Sequence, residues 1–310
     1  MVNGGTRFWA RSYEENTMAD VSSIKTVGVL GAGQMGAGIA QVASAAGFDV
    51  RLCDVSMEVV KKGIAKIDGA LKRQVDKGKL SADLHAGIVA RISPIASAAD
   101  FKGCDVVIEA ATENLELKLK LLKQCDDALA PGAMLASNTS SISLTKLAAS
   151  TSRPAEVVGL HFMNPPPLMK LVELVRAVQT SDATYALAKV LAEKMGKTVV
   201  TSRDAPGFLV NRMLIPMLCE AIFTLEQGVG TPEDIDNGAK LGLNHPMGPL
   251  ELSDLIGLDT VLFIAEVLHR DFGDSKYRAP TLLKNLVSAG WLGKKSGRGF
   301  YRYDATGQRQ

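Results

Sequence analysis

The chain is expected to be an α/β protein. A doubly wound, largely parallel sheet with a projecting helical hairpin comes first, and an all-helical C-terminal domain follows. Three observations carry this expectation. Strand and helix patterns alternate from Lys25 to about Val200. A glycine-rich turn joins the first strand to the first helix. Beyond Arg203-Asp204-Ala205-Pro206-Gly207 no convincing strand follows, and only helical spacing remains.

The elements follow in order. Thr26 to Leu30 is a short apolar run, Gln34 to Ala46 has helical spacing, and Phe48 to Cys53 is apolar and extended again. That strand-turn-helix-strand order builds a parallel sheet. Glu58 to Ala90 is a lysine-bearing helical stretch too long for a plain crossover, so it reads as a hairpin of two helices leaving the sheet. Asp105 to Glu109, Ala133 to Ala136 and Thr198 to Thr201 are further strands. Two apolar runs, Val157 to Phe162 and Leu168 to Val175, flank the turn Asn164-Pro165-Pro166-Pro167. Helices are expected over Leu209 to Glu226, Pro232 to Leu241, Pro249 to Arg270 and Thr281 to Ala289. Their apolar content, as in Met213-Leu214-Ile215-Pro216-Met217-Leu218, exceeds what a small domain buries alone. It fits a self-association surface or packing on the first domain. The boundaries read as an extension over 1–24, expected to be disordered, a first domain over 25–203 and a helical domain over 204–310. Met18, directly ahead of the first strand, is the expected natural start.

Composition narrows the function classes. The chain has 310 residues, 46% apolar and 22% charged, with a net charge of +2. That is ordinary for a globular enzyme and too near neutrality for a nucleic-acid-binding field. No apolar run reaches membrane-spanning length, and no apolar core of a secretory signal precedes the first strand. Cys53, Cys104, Cys125 and Cys219 show no metal-like spacing and read as buried thiols of a reducing, cytoplasmic setting. The four histidines are scattered, so no metal site is expected.

Gly31-Ala32-Gly33-Gln34-Met35-Gly36 matches G-x-G-x-x-G between a strand and a helix, the context that gives the pattern meaning. The first glycine permits the tight turn. The second lets backbone approach a pyrophosphate, and the third lets helix and strand pack closely. The phosphates then meet free N–H groups and the positive end of the helix dipole. Asp54, just past the second strand, can accept from the adenine-ribose hydroxyls and repel a 2′-phosphate. The domain is therefore Rossmann-like, and the expected cofactor is NAD rather than NADP.

The chemistry centres on His161. Glu173 follows it by twelve positions across the proline turn, and if the flanking strands pair about that turn the two side chains fall opposite each other. A carboxylate against an imidazole fixes its tautomer and raises its basicity, as a general base requires. Ser137-Asn138-Thr139-Ser140-Ser141 follows a strand at the edge where a doubly wound sheet places its ligands. The same stretch fits a helix cap. Asn164 and Asn211 are amides in apolar contexts, and His85, His245 and His269 read as surface or packing residues.

On several stretches the chain resembles the L-3-hydroxyacyl-CoA dehydrogenases, in particular the short single-function bacterial kind acting on 3-hydroxybutyryl-CoA. They are Gly31–Gly36 with Gly38-Ile39-Ala40-Gln41, Glu109-Ala110-Ala111-Thr112-Glu113-Asn114, Ser137 to Ser141, Leu160 to Val172, and Thr201 to Arg212. Pro246-Met247-Gly248-Pro249 and Gly293 to Tyr301 complete them. The resemblance spans about Lys25 to Tyr303. It implies hydride transfer between C3 of an L-3-hydroxyacyl-CoA and NAD, with His161 as general base and Glu173 as its ionic partner. It implies that Ser140 bonds the reacting oxygen, that Asn211 positions the substrate, and that Asn164 lines the same site. Cofactor contacts are implied for Gly31, Ala32, Gly33, Gln34, Met35, Gly36, Asp54, Glu113, Lys118, Asn138, Ser140, Asn164 and Lys295. Glu113 and Lys118, five apart at a helix start, also fit a plain surface pair. Lys77 aligns with a CoA-contacting lysine, amid Lys61, Lys62, Lys66, Lys72, Arg73 and Lys79, and Ala70 stands where relatives carry a CoA-contacting serine. The acyl-CoA substrate and a homodimer through the C-terminal domain are the implied partners. A sugar-acid dehydrogenase acting on L-gulonate, and a non-catalytic NAD-binding protein of the crystallin kind, share the fold.

Overall fold

The computed structural model describes residues 21–310. Met18 and the upstream part of the expected extension lie outside the described residues. Its last residues depart from the expectation of disorder. Val21–Ser23 form a short 3-10 turn, and Ile24 is buried in the core, so ordered packing begins ahead of Lys25.

The chain divides into two compact units. The first runs to Asn138 and resumes over Leu144–Thr201; the second combines Thr139–Ser143 with Ser202–Gln310. The expected boundary at 203/204 falls two residues late, and the short excursion over Thr139–Ser143 was not anticipated.

In the first unit, β1 (Thr26–Leu30), α1 (Gln34–Ala45) and β2 (Asp49–Cys53) open the sheet. Next come α2 (Met57–Asp76), α3 (Ala82–Ala90) and β3 (Ile92–Pro94). β4 (Val106–Glu109), α4 (Leu115–Ala128), β5 (Met134–Ser137) and α5 (Leu144–Ala149) follow. β6 (Val157–Phe162), β7 (Leu171–Arg176), α6 (Asp182–Lys194) and β8 (Thr198–Arg203) complete the set. The eight strands lie in the order β3-β2-β1-β4-β5-β6-β7-β8. From β3 to β6 every pair is parallel, and β6 and β7 run antiparallel.

Residue type explains these elements. β4, β5 and β6 are buried at every position, as strands covered on both faces must be, and their sequences are correspondingly apolar. Helix starts coincide with capping side chains. Ser56, Ser81, Asn114 and Ser181 each accept a backbone N–H from the first turn of α2, α3, α4 and α6. α2 and α3 form the expected hairpin. Val60, Ile67, Leu71 and Ile88 anchor it in the core, and Lys77, Gly78 and Lys79 at its far turn are exposed. β3 was not expected. It is a three-residue edge strand ending in proline, too short to show alternation and placed where proline is tolerated.

The second unit holds α7 (Val210–Glu226), α8 (Pro232–Asn237), a π-helical turn over Gly238–Gly242, α9 (Pro249–Ile256), α10 (Leu258–Phe272) and α11 (Thr281–Ser288). The helix expected over Pro249 to Arg270 is two helices. Gly257, at φ +100°, breaks it, and a side chain there would crowd Asp259 and Lys295. Ile215, Leu218, Ile222, Leu250, Leu258 and Val261 are among the core of this unit. Two buried carboxylates pin the tail to it. Asp254 accepts from the N–H groups of Phe300 and Tyr301 and from the Tyr303 hydroxyl, and Asp236 accepts from Leu250, Glu251 and the Tyr301 hydroxyl. Burial pushes the Asp254 carboxyl above the usual range, although its donors pull the other way.

Candidate active site

The site begins at the glycine turn. Gly31 sits at φ +107°, where an added Cβ would lie 2.6 Å from the Ala110 carbonyl oxygen. A Cβ on Gly36 would fall 1.8 Å from the Gly31 oxygen, so the helix packs on the turn only without a side chain there. Around Gly33, by contrast, nothing lies within 4 Å of an added Cβ. The open approach is at the N-terminus of α1, whose cap carries no side-chain hydrogen bond. This is the arrangement a pyrophosphate requires. Asp54 is drawn onto the turn: its Oδ2 accepts from Ala32 N at 2.5 Å and its Oδ1 from Val55 N at 2.6 Å. Gln34 Nε2 donates to Asn164 Oδ1 at 2.9 Å, bringing the turn after β6 to the glycine loop.

The expected pairing of His161 with Glu173 is present. The two are register partners in the β6–β7 ladder, and His161 Nδ1 lies 2.7 Å from Glu173 Oε2. Glu173 is 0% exposed and His161 7%. An ionised carboxylate can only accept, so with Glu173 ionised the proton of this bond sits on Nδ1. The turn between the strands is fixed from beneath by Lys197, whose buried ammonium donates to the Pro166 and Met169 carbonyls at 2.6 and 2.9 Å. Burial lowers the Lys197 ammonium below the ordinary lysine range.

Asn138 has a local role: its Oδ1 accepts from Phe162 N at 2.8 Å, beside His161. Ser140 is half-buried and belongs to the second unit, as does Asn211, buried in the first turn of α7. In that stretch Thr139 Oγ1 accepts from Ser141 and Ile142, and Ser143 Oγ donates to Asp204 Oδ2 at 2.7 Å. Thr139 thus closes a local turn ahead of α5, and Ser143 ties the start of that helix to Asp204. Lys295 is exposed in the second unit and ion-paired with Asp259 at 2.6 Å. Lys77, Lys61, Lys62, Lys66, Lys72, Arg73 and Lys79 are all exposed on the hairpin.

One expectation is corrected outright. Glu113 and Lys118 do not form a surface pair. Lys118 is 1% exposed, and its Nζ lies 2.5 Å from Glu109 Oε2, within a carboxylate site that is itself 0% exposed. Glu109 was not singled out from the sequence. The signal was available: an acid closing an all-apolar strand becomes a buried charge that demands a partner.

All four cysteines are buried, as expected. Burial pushes the Cys53 and Cys104 thiols up to about 11, the former helped by Asp54, so neither is a nucleophile at neutral pH. Among the described residues no cluster of three or more histidine, cysteine, aspartate or glutamate side chains could hold a metal ion, and no helix is long and apolar enough to cross a membrane.

Comparison with known proteins gives two family matches. Residues 26–205 match the NAD binding domain of 3-hydroxyacyl-CoA dehydrogenase, and residues 207–303 match the C-terminal domain of the same family. The 3-hydroxybutyryl-CoA dehydrogenase of Bradyrhizobium diazoefficiens is 54% identical over 280 residues, covering 90% of this chain and 96% of that protein. The human mitochondrial hydroxyacyl-coenzyme A dehydrogenase is 41% identical, covering 96% of this chain and 98% of that one. Among solved structures, the (S)-3-hydroxybutyryl-CoA dehydrogenase PaaH1 of Ralstonia eutropha superposes with a TM-score of 0.88 at 50% identity, covering 91% of this chain and 99% of that one.

Proposed function

The chain belongs to the 3-hydroxyacyl-CoA dehydrogenase family, and on that premise we propose that it interconverts L-3-hydroxybutyryl-CoA and its 3-keto form, with His161 and Glu173 moving the proton. It is an NAD-dependent dehydrogenase by family, and the short-chain substrate is taken from the names of relatives 52% and 54% identical to it. The observation that carries the proton assignment is the buried 2.7 Å contact between His161 Nδ1 and Glu173 Oε2.

When bound, NAD supplies a hydride acceptor or donor at the nicotinamide ring. The residues that would hold it are the turn from Gly31 to Gly36 with Asp54, whose open helix N-terminus suits the pyrophosphate. In oxidation, His161 Nε2 takes the proton of the 3-hydroxyl, and Glu173 stabilises the imidazolium that forms. In reduction, protonated His161 returns it to the developing alkoxide. Ser140 and Asn211 are assigned by their place in the family motifs, Ser140 donating to the reacting oxygen and Asn211 positioning the substrate. One such donor contributes about 3 kcal/mol to the barrier reduction. The exposed lysines of the α2–α3 hairpin, Lys77 among them, suit the phosphates of CoA.

The second unit leaves Met213, Leu241 and Leu243 exposed at 69%, 86% and 68%. We assign this apolar surface to a homodimer, which light scattering reads directly; a monomeric mass at micromolar concentration would refute it.

The central test is a steady-state comparison of short- to long-chain 3-ketoacyl-CoA esters with NADH, with dehydrogulonate as the rival substrate. His161→Ala should lose most turnover yet bind NADH as the wild type does. Full activity in that variant would remove the base assignment. Preference for dehydrogulonate would remove the substrate assignment.

A further inference from the structure

We propose that Glu109 is a positioning residue for the dinucleotide: through Lys118 and Ser137 it fixes the two loops that leave the carboxyl ends of β4 and β5. The proposal rests on the reading that NAD binds at the glycine turn beside these ends.

One buried carboxylate gathers three stretches of chain. Glu109 Oε1 accepts from Ala111 N at 2.9 Å, holding the first residues of the β4–α4 loop. Its Oε2 accepts from Lys118 Nζ at 2.5 Å and from Ser137 Oγ at 2.8 Å, tying down the first turns of α4 and the end of β5. Its own carbonyl accepts from Asn138 N at 2.8 Å, and Asn138 in turn holds Phe162 beside His161. The loop so fixed abuts the dinucleotide turn. Ala110 N donates to Leu30 O at 2.7 Å, and Gly31 has no room for a side chain against Ala110.

Burying such a pair gains little stability by itself. An apolar pair of similar volume commonly does as well or better. What apolar packing lacks is direction. Three donors converge on two carboxylate oxygens, so each loop end is held at a set angle as well as a set depth. In a doubly wound sheet these loop ends are where the ligand lies. Glu109 thus acts through its neighbours and need not touch the cofactor. Lys118, 1% exposed, is one of the links through which Glu109 holds the start of α4.

The test uses the full chain and NADH alone, read as a Kd by fluorescence or calorimetry beside the melting temperature. The variants are Glu109→Gln, Lys118→Met and the double variant carrying both. Each single variant leaves one buried charge uncompensated and should raise the Kd for NADH about tenfold or more. The double variant removes both charges but also the Lys118 bond that orients the start of α4, so it should bind NADH at least about threefold more weakly than wild type even where its melting temperature recovers. The apparent KM for NADH should rise in the single variants while that for acetoacetyl-CoA stays level, a split that loss of general stability does not produce. Ser137→Ala removes one hydrogen bond to the carboxylate and leaves the ion pair in place; it should weaken NADH about threefold or more. Two results would overturn the proposal: unchanged NADH affinity in Glu109→Gln or Ser137→Ala, or a double variant that binds NADH as tightly as the wild type. Because the readout is binding, a failed assignment of His161 would leave it untouched.

Discussion

Replacing Glu173 by glutamine tests the proton assignment most sharply. The side chains are nearly isosteric, and the amide oxygen can still accept from His161 Nδ1 at the observed 2.7 Å, so tautomer and ring orientation survive. Only the charge is lost. With Glu173 at 0% exposure, the imidazolium formed during oxidation is stabilised across poorly screened space. At a charge separation of about 4 Å and an effective dielectric of about 20, that interaction is worth about 4 kcal/mol. At about 1.4 kcal/mol per decade this is a fall of roughly 10³-fold in kcat. Formation of NADH absorbance from L-3-hydroxybutyryl-CoA and NAD measures it, and NADH affinity measured in parallel should stay at the wild-type value. A Glu173→Gln enzyme within tenfold of wild-type kcat would refute the reasoning, since the carboxylate would then contribute orientation and no charge.

Three further substitutions probe the surroundings. Gly36→Ala places a methyl 1.8 Å from the Gly31 oxygen, and the displaced turn should lose NADH affinity at a cost of about 1–3 kcal/mol; calorimetric titration giving the wild-type Kd would contradict this. Asp54→Ala removes the acceptor of Ala32 N and Val55 N and the acid expected to face the ribose, so NADH should bind more weakly and NADPH be less excluded. Equal selectivity before and after would assign the ribose to another group. Arg153→Met breaks a pair in which the guanidinium, donating to Asp126 Oδ1 and to four backbone carbonyls, is almost covered, and should cost about 3–5 kcal/mol in urea unfolding. Burial raises the Asp126 carboxyl, but hydrogen bonds from Arg153 and Ser152 outweigh it and hold the group below the usual range. Its stabilising contribution is therefore complete above about pH 3.9 and lost as pH falls through the lower folded value, and the variant should show a shallower acid loss. The same acid slope in both proteins would exclude Asp126 as the titrating group.

The sheet was legible because its strands are short apolar runs separated by unmistakable punctuation, and the glycine turn marked its own context. The His161–Glu173 pair was legible for a stronger reason. A proline-rich turn between two apolar runs leaves one sensible antiparallel register, and that register sets the two residues opposite each other. What escaped was decided by three-dimensional burial. Lys118 looks like any lysine in the first turns of an amphipathic helix, and only the placement of α4 against β4 takes its ammonium to Glu109. Gly257 sits inside a continuous helical pattern, and its positive φ cannot be inferred from neighbours that are good helix formers on both sides. Thr139–Ser143 follows a first-unit strand in sequence, yet belongs with the second unit because its partners, such as Asp204, lie sixty residues on.

The hairpin of β6 and β7 has a consequence for how such enzymes diversify. His161 and Glu173 sit on neighbouring strands closed by a single turn, and Lys197 and Asn138 steady that register from elsewhere in the chain. On the proposed assignment, the proton couple is inherited as one hairpin together with the two outside residues, Lys197 and Asn138, that brace it.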